Sequence, residues 1–465
     1  MLFVSTRGQA PALSFSDAIL TGLARDGGLY VPESWPQLDR PTIESFATLP
    51  YASVAERVIA PFVGDEFPAG AVERMIAEAY SSFRHPSVTP LVELEPAHYL
   101  LELFHGPTLA FKDVAMQLLA RMIDHVLSAR GERATIVGAT SGDTGSAAIE
   151  AFRGRANLDI FILHPEGRTS EVQRRQMTTV LDDNVHNIAL RGTFDDCQNL
   201  VKGLFNHHGF RDRVRLSGVN SINWGRILAQ IVYYFKAAAQ LGGPARDIGF
   251  VVPTGNFGDI FAGYAAKRMG LPIARLVIAT NENDILARTL ATGRYETGTV
   301  TPTISPSMDI QVSSNFERLL FEALGRDGAA VMRLMQGLAQ SGSFAVPEPA
   351  LAQIRAGFAA GRTDEAETAE AMRTTYARSG YLLDPHTAVA VAQARRHAAP
   401  GVPLVTLATA HPAKFPAAVE AATGVEPALP VWLADLYGRP ERYEVLDSDQ
   451  AKVEAFILER TRMAA

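Results

Sequence analysis

The sequence predicts an α/β fold with parallel sheets flanked by helices, preceded by a mainly helical N-terminal unit. From residue 91 onward, apolar strand-like runs alternate with longer segments of helical periodicity. Turns rich in glycine or hydroxyl residues separate a strand-like run from the next helical segment, most clearly at 138–146 and 253–258. Strand, turn and helix in repeated order are typical of parallel sheets that carry helices on both faces.

The elements follow in chain order from apolar periodicity and from Gly and Pro breaks. In the N-terminal unit, the pattern predicts a helix at 15–23, a turn at 26–28 and a short strand at 29–32. Later strands are expected at 99–104, 134–137, 159–163, 185–190, 248–252, 274–279 and 404–407. Helices are expected up to 126 and at 144–152, 170–178, 195–205, 227–239 and 258–269. Residues 326–398 are Ala-rich and mostly helical in pattern, without a strong strand candidate.

Size and charge limit the possible functions. A chain of 465 residues is long enough for two or three domains, and 47% hydrophobic residues fit a folded globular protein. The net charge of −7 argues against general binding to nucleic acid or an anionic membrane, which requires a broad basic surface. Cys197 is the only cysteine, so an intrachain disulfide and a zinc finger are excluded and a reducing compartment is expected. The N-terminus lacks a secretory-signal pattern and no apolar run reaches about 18 residues, so we expect a cytoplasmic protein.

The first candidate site is the turn formed by Gly255, Asn256, Phe257 and Gly258, which is followed by Asp259. This turn joins a buried strand to a helix. Glycines let the backbone approach an anion, and the free N–H groups of the first helical turn point toward it. The alternative is a Gly-rich turn that binds nothing, because such turns are common in α/β folds.

A second turn, with Thr140, Ser141, Asp143 and Thr144, also lies between a strand and a helix. Hydroxyls and backbone N–H groups at a helix start suit a carboxylate or a phosphate. Asp143 is alternatively a simple N-cap of that helix.

A third segment places Lys112 between an aromatic residue and an apolar helix. An amine in a largely apolar niche has a lowered pKa and becomes a better nucleophile toward an aldehyde, as Schiff-base lysines require. The alternative is a solvated lysine paired with Asp113, as most lysines are.

A fourth segment, with Asn220, Ser221, Asn223 and Arg226, precedes another helix. The Arg226 guanidinium could hold a phosphate through two hydrogen bonds, or it could be an i,i+4 partner on the surface.

A fifth segment follows the last predicted strand and carries Thr409, His411 and Lys414. It therefore combines a hydroxyl, an imidazole and an ammonium group. A lone histidine of this type is more often structural than catalytic.

Taken together and in this order, these segments resemble the threonine synthases of the long bacterial and fungal type, in the tryptophan-synthase-β-like (fold type II) group of pyridoxal phosphate (PLP) enzymes. The resemblance spans most of the chain, because the runs VSTRG at 4–8 and DGGLYVP at 26–32 are similar to the family's N-terminal domain. Several ordered motifs are far more specific than one Gly turn. The resemblance implies an N-terminal domain at 1–92, a large PLP-binding domain at 93–130 and 215–465, a small α/β domain at 131–214, and a monomer or homodimer.

The resemblance also implies a role for each candidate residue. Lys112 would bond the cofactor aldehyde and then move protons. Asp143 would lie beside the pyridine 3′-hydroxyl and Thr409 at the pyridine nitrogen. The cofactor phosphate would be held by Gly255, Asn256, Phe257 and Gly258, followed by Asp259. The substrate carboxylate would be held by Thr140, Ser141 and Thr144. The substrate phosphate would be held by Asn220, Ser221, Asn223 and Arg226, aided by Lys414.

The implied reaction is γ-elimination of phosphate from O-phospho-L-homoserine and addition of water at Cβ, giving L-threonine. PLP supplies the electron sink, so the protein must supply a base, orientation and electrostatics. The substrate carries a carboxylate and a phosphate, which require two anion sites besides that of the cofactor. His105 and His411 are candidates for protonating the departing phosphate. A lone histidine of this kind is, however, more often structural than catalytic.

Three other functions stay open at the level of sequence. A PLP-dependent dehydratase or O-acetylserine sulfhydrylase acts on substrates without a γ-phosphate, and Arg226 with its Asn and Ser neighbours favours a phosphorylated one. A phospho-lyase would stop at elimination and release a keto acid. A non-catalytic binding protein would be expected to lack the lysine or the phosphate turn, and both are present.

Overall fold

A computed structural model describes residues 1–464 of the chain. Its strands are β1 (Phe3–Ser5), β2 (Tyr30–Pro32), β3 (Leu91–Glu95), β4 (His98–Glu102), β5 (Ala134–Ala139), β6 (Leu158–Pro165), β7 (Val185–Arg191), β8 (Leu216–Ser217), β9 (Ile248–Pro253), β10 (Ile273–Thr280), β11 (Arg294–Glu296), β12 (Ser343–Ala345), β13 (Phe358–Arg362), β14 (Leu404–Ala408) and β15 (Glu444–Asp447).

The strands are connected largely by helices. These are α1 (Phe15–Thr21), α2 (Arg40–Ser45), α3 (Tyr51–Val63), α4 (Ala71–Tyr80), α5 (Lys112–Arg130), α6 (Asp143–Phe152), α7 (Glu171–Thr178), α8 (Phe194–Asn206), α9 (His208–Arg213), α10 (Trp224–Gln240), α11 (Gly258–Arg268), α12 (Ile285–Thr292), α13 (Phe316–Ala323), α14 (Gly328–Ser341), α15 (Glu348–Gly357), α16 (Glu365–Ser379), α17 (Pro385–His397), α18 (Pro416–Thr423) and α19 (Gln450–Arg460).

The larger sheet has six strands in the order β13, β10, β9, β14, β4, β3. All neighbours are parallel except β3, which pairs antiparallel with β4 at one edge. The central strands β9 and β14 are buried along their whole length, since α17 packs on them and α10 and α11 pack together in the same core. Burial on both faces explains why these strands have continuous apolar sequences. The predicted α/β fold with parallel sheets flanked by helices is confirmed.

The smaller sheet is fully parallel, in the order β15, β7, β6, β5, β8. Its edge strand β15 comes from the C-terminal part of the chain, and α19 packs against α8 beside it. The Arg462 guanidinium then binds Asp159 of β6 at 2.6 Å. Residues 444–462 were expected in the large domain, but these contacts join them to the small sheet. We therefore propose a small domain composed of 131–217 and 444–462.

The N-terminal unit is mainly helical, as expected, with α1 to α4 and a short antiparallel ribbon of β1 and β2. It is packed tightly on the rest of the chain, because α3 contacts α10 and α4 contacts α5. Phe3 and Phe62 lie 5.7 and 5.8 Å from the ring of Trp224, the first residue of α10. Its core is therefore continuous with that of the larger sheet and its helices.

Residues 326–398, where the sequence shows no strong strand candidate, are mostly helical as expected but also contain the short strands β12 and β13. β13 has the sequence Phe-Ala-Ala-Gly-Arg, without a β-branched residue, and it forms the edge of the larger sheet beside β10. Local strand propensity is weak in such a sequence. The strand is therefore determined by tertiary pairing with β10.

The parallel strands bring the candidate segments together. Segments 103–111, 254–257 and 409–411 follow β4, β9 and β14, which are neighbours in the larger sheet. Segments 140–142 and 218–223 follow β5 and β8, which are neighbours in the smaller one. Ligands of open α/β sheets bind outside the carboxyl ends of the strands. Among residues 1–464, no helix is long and apolar enough to cross a membrane.

Candidate active site

Lys112 is the first residue of α5, and its side chain is only 10% exposed. Its Nζ lies 3.5 Å from Asp143 Oδ2 and 4.7 Å from the centre of the Phe111 ring. The neighbouring Asp113 does not pair with Lys112, because its carboxylate accepts hydrogen bonds from the backbone N–H and the hydroxyl of Thr108 at 2.8 and 2.7 Å. Asp113 thus holds the 106–111 loop and leaves the lysine facing Asp143.

Asp143, at the start of α6, is the only carboxylate that forms an ion pair with Lys112 among the described residues. Its Oδ1 accepts hydrogen bonds from Lys414 Nζ at 2.9 Å and Gln173 Nε2 at 2.8 Å. Lys414 is completely buried, and it also donates to the carbonyl of Thr108 at 2.7 Å. Lys414 therefore connects the loop before Lys112 to the carboxylate beside it.

The electrostatics of these groups favour a nucleophilic amine. Burial lowers the pKa of Lys112, Asp143 opposes this, and the nearby cations Arg226 and Lys414 lower it further. Burial alone would raise the pKa of Asp143, but Lys414, Lys112 and His386 hold it well below its ordinary value. Asp143 is therefore a carboxylate at neutral pH. An amine with a lowered pKa is available to attack an aldehyde and to accept protons.

The 255–258 turn has the geometry of an anion site. Phe257 adopts a left-handed conformation, with φ of 65°, at the N-cap of α11. The backbone N–H groups of residues 255–260 donate no hydrogen bond within the part of the chain that the structure describes. A Cβ on Gly255 would lie 2.8 Å from the carbonyl oxygen of Ser307, so only glycine fits there. Free N–H groups at the start of an eleven-residue helix favour a phosphate.

Two side chains fix this turn from behind. Ser313 Oγ donates to the carbonyl of Gly255 at 2.6 Å. The carbonyl of Asn256 accepts from both the backbone N–H and the Nδ2 of Asn315, at 3.1 and 2.9 Å. With its carbonyls bound on one side, the turn presents its N–H groups on the other.

Asp259 follows the turn, and its carboxylate is tied to tyrosines. Tyr233 and Tyr234 both donate to Oδ1, the second at 3.2 Å, while Oδ2 has no partner among the described residues. Burial raises the pKa of Asp259 to about 7, against the effect of the tyrosine hydrogen bonds. Asp259 supports the start of α11.

Arg226, in the first turn of α10, is a buried cation without an ion pair among residues 1–464. Burial lowers its pKa to about 10, so it remains charged at neutral pH. Asn223 is the N-cap of α10, and its Nδ2 donates to the carbonyl of Ile19 at 2.7 Å. Its side chain is thus committed to structure, whereas Asn220 is exposed and Ser221 half-buried.

The turn before α6 combines structural and free hydroxyls. Thr140 Oγ1 accepts hydrogen bonds from the backbone N–H groups of Gly142 and Gly145, both at 2.9 Å. Ser141 and Thr144 are half-buried, and neither hydroxyl has a partner among the described residues. Thr140 therefore shapes a helix start that offers Ser141 and Thr144 to a ligand.

Thr409 follows β14 and is buried next to the loop that leads into Lys112. Its carbonyl accepts from the Phe111 N–H at 2.8 Å, and its N–H donates to Thr387 Oγ1 at 3.3 Å. His411 lies two residues further, where burial lowers its pKa to about 4 and its Nδ1 accepts from the Ala413 N–H. His105 binds Glu102 at 2.7 Å. Both histidines have structural partners.

Sequence reasoning missed Ser307 and the residues that hold it. Ser307 Oγ lies 3.4 Å from Asp143 Oδ2, and its N–H donates to His386 Nε2 at 3.1 Å. His386 Nδ1 is bound to Asp384 Oδ1 at 2.9 Å. The Asp-Pro pair at 384–385 signals a helix start, but no local pattern indicates that Ser307, in the short 3-10 helix Pro306–Met308, meets Asp143.

The charges and donors fit PLP. Two buried cations, Arg226 and Lys414, lie close enough to Lys112 to lower its pKa. Lys414 is paired with Asp143, whereas Arg226 has no ion pair among the described residues and can bind an anion. The free N–H groups at 255–260 and the unpartnered Nε of Arg226 are further donors without acceptors. Unpaired buried donors are costly, so these groups favour an anionic ligand such as a phosphate. The amine of Lys112 suits an aldehyde on the same ligand.

Comparison with known proteins gives the same class. Residues 83–352 match the family described as "Pyridoxal-phosphate dependent enzyme". The fold and the site therefore define a PLP-dependent enzyme.

The flanking regions and the relatives are more specific. Residues 2–80 match "Threonine synthase N terminus" and residues 387–457 match "Threonine synthase, C-terminal". The chain is 55% identical to a threonine synthase from Pseudomonas aeruginosa, over 98% of both chains. A PLP-bound threonine synthase structure from Brucella melitensis is 61% identical, with a TM-score of 0.97 over 99% of this chain and 100% of the other. The yeast threonine synthase structure has 39% identity and a TM-score of 0.93, over 99% and 98%. The chain belongs to the threonine synthase family.

Proposed function

We propose that this enzyme converts O-phospho-L-homoserine and water into L-threonine and inorganic phosphate. The observation that carries the proposal is one buried lysine beside two separate groups of anion donors. These are the free N–H groups of the 255–258 turn and the unpaired guanidinium of Arg226. A cofactor phosphate and a substrate phosphate together require two such groups.

The cofactor is assigned to the residues around Lys112. When bound, PLP supplies an aldehyde for the Lys112 amine and an electron sink for the α-carbon of the substrate. Its phosphate is assigned to the N–H groups of residues 255–258. Asp143 is assigned to the ring hydroxyl and Thr409 to the ring nitrogen, while Asp259 supports the phosphate turn through its contact with Tyr233.

The substrate is assigned to the two other helix starts. The N–H groups and free hydroxyls at Ser141 and Thr144 suit its carboxylate. Arg226, with Asn220 and Ser221, suits its phosphate, since a guanidinium forms two parallel hydrogen bonds to phosphate oxygens. Asn223 caps α10 and so orients Arg226.

Lys112 is the proposed base. Its lowered pKa favours the neutral form of the amine, which is the form that takes a proton from Cα and then from Cβ. Phosphate departs from Cγ, which then gains a proton and becomes the methyl group. Water adds its hydroxyl at Cβ, and a second proton returns to Cα. One water is consumed and one phosphate released for each threonine. Asp143 and Lys414 keep the Lys112 amine oriented, because their contacts fix the carboxylate beside it.

The test is product analysis with the wild type and Lys112→Ala. We expect the wild type to release threonine and phosphate in equal amounts and the variant to lose both activities. 2-Oxobutyrate in place of threonine would favour a phospho-lyase. No phosphate release from O-phosphohomoserine by the wild type would refute the proposal.

We further propose that the enzyme acts in the cytoplasm, as a monomer or homodimer, without a nucleic-acid partner. The net charge of −7 argues against a nucleic-acid partner, and the single, buried cysteine fits a reducing compartment. Sedimentation of the purified protein measures the oligomeric state.

A further inference from the structure

We propose that Asn315 and Arg318 form a positioning pair that sets the spacing between the two phosphate-binding elements, the 255–258 turn and the 220–226 segment. The pair also joins the N-terminal unit to both. The substrate side of this inference rests on the proposed function, whereas the cofactor side rests on the PLP-dependent class.

Asn315 lies where the two elements meet, and it is fully buried. Its Nδ2 donates to the carbonyl of Asn256 at 2.9 Å and to the carbonyl of Ser221 at 3.2 Å. A Cβ on Gly258 would lie 3.4 Å from this Nδ2 and 3.7 Å from the Ser221 oxygen. One amide group therefore holds one residue of each element, at a point where the backbones are close.

Arg318 fixes the orientation of that amide. Its side chain is completely buried, and its Nη1 donates to Asn315 Oδ1. This contact directs Nδ2 toward the two carbonyls, because an amide presents its oxygen and nitrogen in opposite directions. Nη2 also donates to the carbonyl of Ile222 at 2.6 Å, inside the 220–226 segment. Arg318 thus binds the substrate element directly and the cofactor element through Asn315.

The charge of Arg318 has no carboxylate ion pair among residues 1–464, and all its side-chain acceptors are neutral oxygens. Burial lowers its pKa to about 9, so it remains a cation at neutral pH. Glu317 raises this pKa and offsets part of the charge, but it forms its ion pair with Arg7, so Arg318 still adds positive potential to the region around it. Two phosphates near it would be stabilised by that potential.

The same guanidinium holds the N-terminal unit. Its Nε and Nη2 both donate to the carbonyl of Tyr30, at 3.0 and 2.9 Å. Beside it, Thr6 and Arg7 bind Glu317 at 2.6 and 3.0 Å. The VSTRG and DGGLYVP runs therefore dock on α13 next to the pair, which gives these motifs a role in the active site.

The test compares Arg318→Lys and Asn315→Ala with a matched control, Arg326→Lys. Arg326 also ties the N-terminal unit to the end of α13, through the carbonyl of Pro32 at 2.6 Å and Glu322 at 3.0 Å, but it contacts neither phosphate element. The readouts are the Kd of PLP, the KM and kcat for O-phosphohomoserine, the inhibition constant of inorganic phosphate, and the Tm.

We expect both test variants to weaken PLP binding and phosphate inhibition and to raise KM by about tenfold, the effect of one lost charge-assisted hydrogen bond, while kcat changes less. Asn315→Ala keeps the contact of Arg318 with Tyr30, so it tests the pair even if Arg318→Lys folds poorly. Unchanged PLP and phosphate constants in Asn315→Ala, or equal changes in Arg326→Lys, would overturn the inference. If the wild type formed no threonine, the proposed function would be refuted instead. The Kd of PLP in the variants would still show whether Asn315 and Arg318 position the 255–258 turn.

Discussion

Replacement of Arg226 by methionine distinguishes a ligand-binding arginine from a structural one. The guanidinium is buried and has no ion pair in the described part of the chain. Methionine fills a similar length without charge. Because an unpaired buried cation opposes folding, we expect the apoprotein of Arg226→Met to be at least as stable as the wild type.

The effect on substrate binding has the opposite sign. A hydrogen bond to a charged group contributes about 1.5–3 kcal/mol, so the loss of the phosphate contact should raise KM about 10- to 150-fold. Lysine at this position keeps the charge but not the planar pair of donors, and it should restore part of the affinity.

The assay combines urea unfolding of the apoproteins with steady-state kinetics on O-phosphohomoserine and titration with PLP. The assignment of Arg226 to the substrate phosphate would be refuted if Arg226→Met lost more than about 2 kcal/mol of unfolding free energy and kept the KM of the wild type. Those are the effects expected for a structural arginine.

Three further outcomes follow from the site and its surroundings. Gly255→Ala should weaken PLP binding at least about tenfold, because the new Cβ would lie 2.8 Å from a carbonyl of the facing loop, whereas Gly357→Ala, where a Cβ meets nothing within 4 Å, should not. Equal PLP constants in the two variants would contradict the phosphate assignment. Lys414→Met should raise the pKa of Asp143 and of the Lys112 nitrogen, because it removes a cation that lowers both, and a pH titration of the bound cofactor's visible absorption, which reports that nitrogen, should shift to higher pH. An unshifted titration would argue against this electrostatic role. Burial lowers the pKa of His98 to about 4, so its protonation opposes folding as the pH falls from about 6.5 toward 4. The free energy of unfolding that His98 contributes above this pH range is lost within it, by at most about 3 kcal/mol. Urea unfolding should therefore show a smaller decrease in unfolding free energy between pH 6.5 and about 4 for His98→Gln than for the wild type.

Much of the architecture follows from the sequence, since the central strands β6, β9 and β14 are buried along their whole length. β9 illustrates this, because its run from Ile248 to Pro253 is apolar and ends at a Gly turn that starts α11. Turns of small and polar residues at a predicted helix start likewise identify the segments before α6 and α10. β13 is not predicted, because its Ala and Gly residues have low strand propensity. It becomes a strand only through its pairing with β10.

A site residue can be predicted from the sequence when it lies in a turn between a strand and a helix. It cannot be predicted when only contacts with distant parts of the chain bring it to the site. Lys112, Asp143 and Arg226 each lie at or near a helix start, and the fold brings their charges together. Ser307 lies in a short 3-10 helix and Asn315 at the N-cap of α13, and their contacts with Asp143 and Asn256 span more than 50 residues of chain. Nothing in the local sequence indicates such partners.

The bond between Lys112 and the cofactor is the central claim, and chemical trapping tests it most directly. The purified protein is loaded with PLP, reduced with borohydride, digested and mapped by mass spectrometry. We predict a single cofactor adduct on the peptide that contains Lys112. An adduct on Lys414, the other buried lysine that binds Asp143, or the absence of any adduct would contradict the account.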